Sequence, residues 1–346
     1  MLVHICCSVD SHYFLQELRK LLPKERLIGY FYDPNIHPLS EYELRYFDVK
    51  RSCDKLGIEL IKGEYDYNEW INYVKGYENE PERGKRCQKC FDFRLESSAN
   101  LAVKLGEKTF TTTLLTSPKK DLEQLNLSMQ EALKGKNLDF FCVDFRKNGG
   151  INKQLELAKK DKLYHQNYCG CIYGLNKQKS ENELIKELST SIYKDLILPS
   201  SAEQRLQIFS SLKDENEIIR KKILNYRLLY AKTFCKNEFF KSFILFYSHF
   251  TTSKISLSLD TNKDVNYCNK DGLCVLTFAY ANRFFSLKSF DELCKNAISI
   301  NKQNELRKHL FGDYSLNPII ILEQIPKKLE IIAKSIIFDD FEFCLL

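Results

Sequence analysis

The chain has 346 residues, 44% of them hydrophobic and 28% charged, a globular composition that excludes global disorder, collagen-like repeats and low-complexity structure. Against 46 Asp and Glu stand 52 Lys and Arg, a net charge of +6, which is mildly basic and marks no patch that by itself implies nucleic-acid binding. No apolar run approaches the roughly 20 residues of a membrane helix, and the start MLVHICCS lacks the basic and long apolar regions of a signal peptide, so a cytoplasmic protein of about two domains is expected.

In chain order, LVHICCS (2–8) reads as a strand, followed by a helix with Phe14, Leu15, Leu18, Leu21 and Leu22 on one face that ends at Pro23. RLIGYFYDP (26–34) is a second strand, stopped by the turn Asp33-Pro34-Asn35. A helix with Tyr42, Tyr46, Val49, Cys53 and Leu56 at helical spacing follows and closes at Gly57, before a third strand, IELIKGEY (58–65). After a charged loop (76–86), Cys87 opens a helix whose apolar face is Phe91, Leu95, Ala102 and Leu105, ending at Gly106. TFTTTLLTS (109–117) is a fourth strand and DFFCVDF (139–145) a fifth, separated by a helix with Leu122, Leu125, Met129 and Leu133; another helix covers 151–161. Strands alternating with helices predict a parallel α/β sheet covered on both faces, with its site at the carboxyl ends of the strands. Cys6 and Cys7 end the first strand.

The composition turns polar at NKQKSE (176–181), which places a boundary at 178/179. The spacing predicts helix over 182–235, with a capping box at Ser200 and Glu203. KISLSL and CVLTFAY within 243–285 read as strands, and the last sixty residues mix both signals, so residues 179–346 are expected to form an α+β accessory domain without a chemical motif of its own.

Cysteine usage is more informative. Thirteen is an odd number, and in a reducing compartment a disulfide framework is not expected. Three close pairs stand out: Cys6-Cys7, Cys87-x-x-Cys90 and Cys169-x-Cys171. Cys87 and Cys90 share one face of a helix's first turn, where the helix N-terminus and Arg83, Lys85 and Arg86 favour thiolates. Gly170 lets the backbone fold closely around an ion or cluster. Asp10 has two readings, a helix cap or an oxygen ligand beside the sulfurs. Six thiolates and a carboxylate exceed the four ligands of one zinc or one cluster, which implies two metal centres, or a cluster with an open metal beside it; the plainer alternative is a structural zinc. Cys53 and Cys142 are read as small buried hydrophobes, as are Cys235, Cys268, Cys274, Cys294 and Cys344.

Six segments, LVHICCSVDS, YFYDPNIHPLSEYELR, RCQKCFDFRL, FTTTLLTSPKKD, DFRKNGG and LYHQNYCGCIYG, resemble in order the signature blocks of QueH-type epoxyqueuosine reductases over residues 2–174. The resemblance implies a Rossmann-like fold related to the adenine-nucleotide α-hydrolase (HUP-like) superfamily. It also implies an iron–sulfur enzyme with an additional metal nearby and, as substrate, epoxyqueuosine at the wobble position of tRNA. Some family members have a further Cys where this chain has Asp10, which strengthens the ligand reading. The C-terminal half lies outside the resemblance; a tRNA clamp, a dimerisation module and a docking surface for an electron donor are all open.

Removal of an epoxide oxygen to leave an alkene needs two electrons and two protons, which calls for a redox metal because side chains supply no low-potential electrons. The expected cofactors are a [4Fe–4S] cluster and an adjacent ion, iron, held among Cys6, Cys7, Asp10, Cys87, Cys90, Cys169 and Cys171. Tyr164, His165 and Tyr168 flank the last pair and are candidates to protonate the departing oxygen, the alternative for the tyrosines being packing. For the RNA, Arg146 and Lys147 beside Gly149 and Gly150 suit a phosphate contact. Thr111, Thr112, Thr113, Ser117 and Lys119 close the fourth strand and are candidates to bind ribose or base edges, the alternative for the threonines being ordinary β-formers; His37 lies at the end of the second strand on the same active edge, and Tyr30 and Tyr32 are either stacking platforms or strand core. Two other functions compete: an ATP-dependent tRNA-modifying enzyme on the same fold, disfavoured because cysteines replace the phosphate-loop glycines, and a zinc-stapled RNA-binding adaptor.

Overall fold

The computed structural model describes residues 1–118, 120–296 and 298–346, which group into two compact units. The first comprises 1–188, 201–218 and 345–346; the second comprises 189–200 and 219–344. The division is less simple than a single cut at 178/179, because two later helices pack into the first unit.

Five strands form the first unit's sheet: β1 (Leu2–Ile5), β2 (Ile28–Phe31), β3 (Glu59–Lys62), β4 (Thr109–Thr112) and β5 (Asp139–Phe140). Their order is β3-β2-β1-β4-β5 and every pairing is parallel. The helices are α1 (Ser8–Leu21), α2 (Leu39–Leu56), α3 (Tyr67–Tyr73), α4 (Lys85–Lys104), α5 (Leu122–Leu133), α6 (Gly150–Lys160), α7 (Ile172–Gln178), α8 (Glu181–Leu188) and α9 (Ala202–Ser210). This is the expected Rossmann-like α/β architecture. The central strands β1 and β2 are buried along their whole length, as an apolar strand covered on both faces must be. Phe14, Leu15 and Leu18 of α1, Tyr42, Val49 and Cys53 of α2, and Phe91, Leu95 and Ala99 of α4 complete that core.

All five strands are shorter than the sequence reading, the first three being Leu2–Ile5 within 2–8, Ile28–Phe31 within 26–34 and Glu59–Lys62 within 58–65, and three further differences have a visible cause or consequence. The fourth strand stops at Thr112, because the Thr112 hydroxyl accepts from the Leu114 amide at 3.2 Å and turns Thr113–Leu115 into a 3₁₀ helix. The fifth is two residues long, which leaves Cys142 exposed instead of buried in a strand. The cap of α9 is Ser201, whose hydroxyl accepts from the Gln204 amide at 3.1 Å, one position after the expected box.

The second unit contains β6 (Ile218–Cys235, whose first residue lies in the first unit), β7 (Glu238–Phe239), β8 (Ser242–Ile244), β9 (Lys254–Ser258), β10 (Val265–Cys268), β11 (Leu273–Thr277), α10 (Phe278–Phe285), α11 (Phe290–Lys295), α12 (Ile300–Phe311), β12 (Ile319–Leu322) and β13 (Lys328–Leu345, whose last residue lies in the first unit). Two four-stranded sheets, β10-β11-β12-β8 and β7-β6-β13-β9, face each other across Ile255, Leu257, Val275, Ile320, Leu329 and Ile331. The opposite face of the first of these sheets, with Leu276, Ile319 and Ile321, is covered by Phe285, Leu293 and Leu306 of the three helices. Residues 218–235, expected as helix, are an 18-residue strand beside the equally long β13. Pairing along that length overrides a local composition that suits either state.

Candidate metal centre at the switch point

In the first sheet the strand order reverses between β1 and β4, the place where open α/β sheets bind ligands. A cavity of about 320 Å³ lies there. Its wall includes Cys6, Cys7 and Asp10 from the end of β1 and the start of α1, Asp33 from beyond β2, Arg45 of α2, Arg94 of α4, Ser117 and Lys120 from beyond β4, Gln154 of α6, and the loop 165–169.

Cys6 Sγ and Cys7 Sγ are 3.8 Å apart, and Asp10 Oδ2 lies 3.7 Å from Cys6 Sγ. Two thiolates each about 2.3 Å from one tetrahedral ion are separated by about that distance. The three donor atoms all lie within 4.8 Å of one another, the one such group of His, Cys, Asp or Glu among the described residues. Asp10 is therefore no helix cap. Cys7 occupies the cap position of α1 and Asp10 the first turn, where Gln154 Nε2 donates to its Oδ1 at 2.6 Å.

Cys87, Cys90, Cys169 and Cys171 form no such tight group. Yet Cys169 acts electrostatically on Cys87, Cys90 and Cys171, Cys87 acts on Cys90, and Cys90 acts on Cys171, so the four share one neighbourhood. A single zinc draws its thiolates closer than that, whereas a four-iron cube binds each to a different iron and holds them wider apart. The spacing at Cys6, Cys7 and Asp10 suits a single ion, and the other four thiols offer donors enough for a second centre.

Charge around the sulfurs is uneven. Burial pushes Cys90 up to about 11 and Cys171 up to about 12, and raises Cys87 despite the nearby Arg86, so the expected helix-end thiolates are not favoured in the metal-free chain. Contact with Cys6 and burial raise Cys7, and burial raises Asp10. Cys169 goes the other way. Burial opposes its thiolate, but Lys120, Arg45 and Arg94 outweigh burial and lower it; Lys120 Nζ lies 3.1 Å from its sulfur. Gly170 beside it has φ +123°, and a Cβ there would come within 3.0 Å of Ile36 Cγ1 and 3.1 Å of Arg45 Nη1.

The other expected site residues divide. His165 and Ser117 line the cavity, and Thr113 Oγ1 lies 3.7 Å from Cys6 Sγ. Tyr164 does not line it: it is buried and donates to Glu41 Oε2 at 2.9 Å. Tyr168 is a wall residue whose hydroxyl donates to the His37 carbonyl at 2.6 Å. Tyr32 is buried, stacked on Tyr30 and bonded to Asp66 Oδ2 at 2.8 Å. Thr111 is buried with its hydroxyl on the Phe141 carbonyl, and Thr112 is buried against His4. His37 stacks on Tyr67. Arg146 pairs with Asp144 at 3.1 Å and, like the exposed Lys147, does not line the cavity. Lys119 lies outside the described residues. Lys120, Arg45, Arg94, Asp33 and Gln154 were not singled out from the sequence. The first four stand inside the quoted segments, but Gln154 carries no local signal.

The family model described as epoxyqueuosine reductase QueH matches residues 1–177. The epoxyqueuosine reductase QueH of Helicobacter pylori (strain ATCC 700392 / 26695) is 39% identical over 371 aligned positions, covering 100% of both chains. That of Haemophilus influenzae is 39% identical over 176 residues, 51% of this chain and 71% of that protein. A predicted subunit of a tRNA methyltransferase from Methanocaldococcus jannaschii aligns in structure with a TM-score of 0.31 at 14% identity, covering 46% of this chain and 75% of that one.

Proposed function

Since the chain belongs to the epoxyqueuosine reductase QueH family, we propose that it is an oxidoreductase that converts epoxyqueuosine to queuosine in tRNA, working in the switch-point cavity on the wobble nucleoside. The epoxide takes up two electrons and two protons, an alkene remains, and the oxygen leaves as water. Cys87, Cys90, Cys169 and Cys171 hold a [4Fe–4S] cluster in this reading, and Cys6, Cys7 and Asp10 hold an additional iron. Bound there, these groups supply electrons and a Lewis-acid centre.

The chain's own residues prepare the cavity. Lys120 Nζ, 3.1 Å from the Cys169 sulfur, favours the thiolate form of that residue. Gln154 orients the Asp10 carboxylate through its Nε2. His165, exposed and in the cavity wall, is the proposed proton donor to the departing oxygen; the Tyr164 proton is engaged by Glu41. Among the described residues no helix is long and apolar enough to cross a membrane; a tRNA substrate puts the proposed work in the cytoplasm, with electrons from an external donor.

The observation that carries this reading is the meeting of Cys6, Cys7, Asp10 and Cys169 in the wall of one cavity at the switch point. Anaerobic incubation with epoxide-bearing tRNA and a strong reductant, followed by nucleoside mass analysis, tests it. Loss of one oxygen from the modified base is expected. A colourless protein that holds zinc and leaves the epoxide intact would overturn it.

A further inference from the structure

Among its described residues, the cavity wall leaves three buried hydrogen-bond acceptors without a protein partner. Asp33, 1% exposed, gives one carboxylate oxygen to the Arg94 guanidinium, and its Oδ2 is buried without a partner. Gln154, 3% exposed, gives its Nε2 to Asp10. That bond fixes the orientation of the amide, because a carboxylate requires the NH₂ side. Gln154 Oε1 is then left buried and without a partner. Gln166 Oε1, also in the wall, is a third such acceptor; among the described residues of the wall the one buried unpartnered donor is Arg94 Nε. Buried acceptors in a native site are satisfied by something, and buried acceptors that outnumber the buried unpartnered donor suit a ligand that brings donors.

Asp33 also has a telling place in the fold. It follows the carboxyl end of β2, next to the central strand β1. In dinucleotide-binding sheets an acid near that strand end accepts hydrogen bonds from ribose hydroxyls.

We propose that Asp33 Oδ2 and Gln154 Oε1 are specificity-determining acceptors that receive hydroxyl hydrogens of the nucleoside in the cavity. The inference rests on the reductase reading above and adds to it how the substrate is held. The same chemistry has two sources in such a nucleoside, the ribose 2′-hydroxyl and the hydroxyls of the ring appended to the base. Replacement of Asp33 by Asn reverses the wall at this point. Arg94 requires an acceptor, so the Asn oxygen stays with Arg94 and an NH₂ group replaces Oδ2, donor against donor. Sites built to bond a substrate hydroxyl discriminate strongly when the pairing is lost.

The test uses the full-length, metal-loaded protein and a fluorescent anticodon stem–loop carrying epoxyqueuosine. For Asp33→Asn, with iron content and melting temperature as in the wild type, Kd and KM rise about tenfold or more while kcat changes less. A stem–loop 2′-O-methylated at the modified nucleotide and one with masked ring hydroxyls distinguish the sources: the wild type loses affinity for one of them, and D33N shows no further loss for that one. If D33N binds as the wild type does, or neither masked stem–loop binds the wild type more weakly, the acceptor role is overturned. Wild-type protein that binds the stem–loop yet leaves its oxygen in place overturns the reductase reading instead.

Discussion

Arg45 of α2 reaches the backbone that carries Cys169, donating from Nη1 to the Cys169 carbonyl at 3.0 Å and from Nη2 to the Tyr168 carbonyl at 3.1 Å. Its Nε meanwhile holds the buried Glu41 at 2.8 Å. One guanidinium thus ties the second helix to the last cysteine pair. Arg45→Ala leaves those carbonyls unpaired and weakens the compensation of a buried carboxylate, an expected loss of about 3–5 kcal/mol. Lysine cannot restore the fork, since it presents one charge where three directed donors are used. Urea denaturation and iron content per chain check this, with Arg45→Lys expected to resemble Arg45→Ala in iron content. An Arg45→Lys protein with full iron would show that the fork does not position Cys169.

Cys169 is the candidate ligand whose thiol is lowered, and the effect has a definite pH signature. Its folded value lies below the ordinary one of about 9, so its contribution to the stability of the metal-free protein is complete above that pH. The contribution fades as pH falls through the lowered value. Cys169 is therefore expected to react first with iodoacetamide in metal-free protein near neutral pH, ahead of Cys87, Cys90 and Cys171, which burial raises. Lys120→Met removes the nearest cation and should slow alkylation at Cys169 several-fold at pH 7, the difference shrinking as pH rises. Peptide mass mapping across a pH series measures both.

Much of this site was legible from local pattern. The end of β1 announced itself because an apolar run meets two cysteines there, and α2 because apolar residues at helical spacing end at Gly57, which takes φ +62°. What escaped depended on tertiary partners. Lys119 and Lys120 are equivalent in sequence, and proximity to a sulfur 49 positions away gives Lys120 its role. Tyr164 looked available until α2 was seen to bring Glu41 against it. Strand β6 has a composition suited to either state, and β13, more than ninety residues later in the chain, decides the matter.

The position of α9 sets where the chain can be shortened. Arg205 of α9 pairs with buried Glu187 and lies 3.6 Å from Glu41, while Phe209 packs its ring edge against Tyr164 at 5.1 Å. Protein ending at residue 218 keeps these contacts and is expected to retain iron near the full-length level. Relatives matched over only 51% of this chain bear the same family name. Protein ending at residue 188 loses them, leaves Glu187 without Arg205, and should be destabilised by about 3 kcal/mol or more. Thermal melts and iron assays on the two truncations distinguish these outcomes; equal stability would mean that α9 does not complete the first unit.

The two donor sets predict two separable pools of metal. Asp10→Asn keeps shape but removes the carboxylate charge from the Cys6–Cys7 site, where Oδ2 lies 3.7 Å from the Cys6 sulfur. It is expected to cost about one iron per chain while the sulfide content and the brown absorption of a four-iron cluster remain. Cys90→Ala removes a thiol from the other set and is expected to abolish sulfide and visible absorption, because a cube that loses one of four thiolates on a buried face has no water-facing substitute there. Metal-to-sulfide ratios and electron paramagnetic resonance after reduction separate the pools. Both variants should fail to remove the epoxide oxygen, for different reasons. If Asp10→Asn and Cys90→Ala lose iron and sulfide in the same proportion, the two sites are one centre and the division of ligands drawn from the sulfur spacings fails.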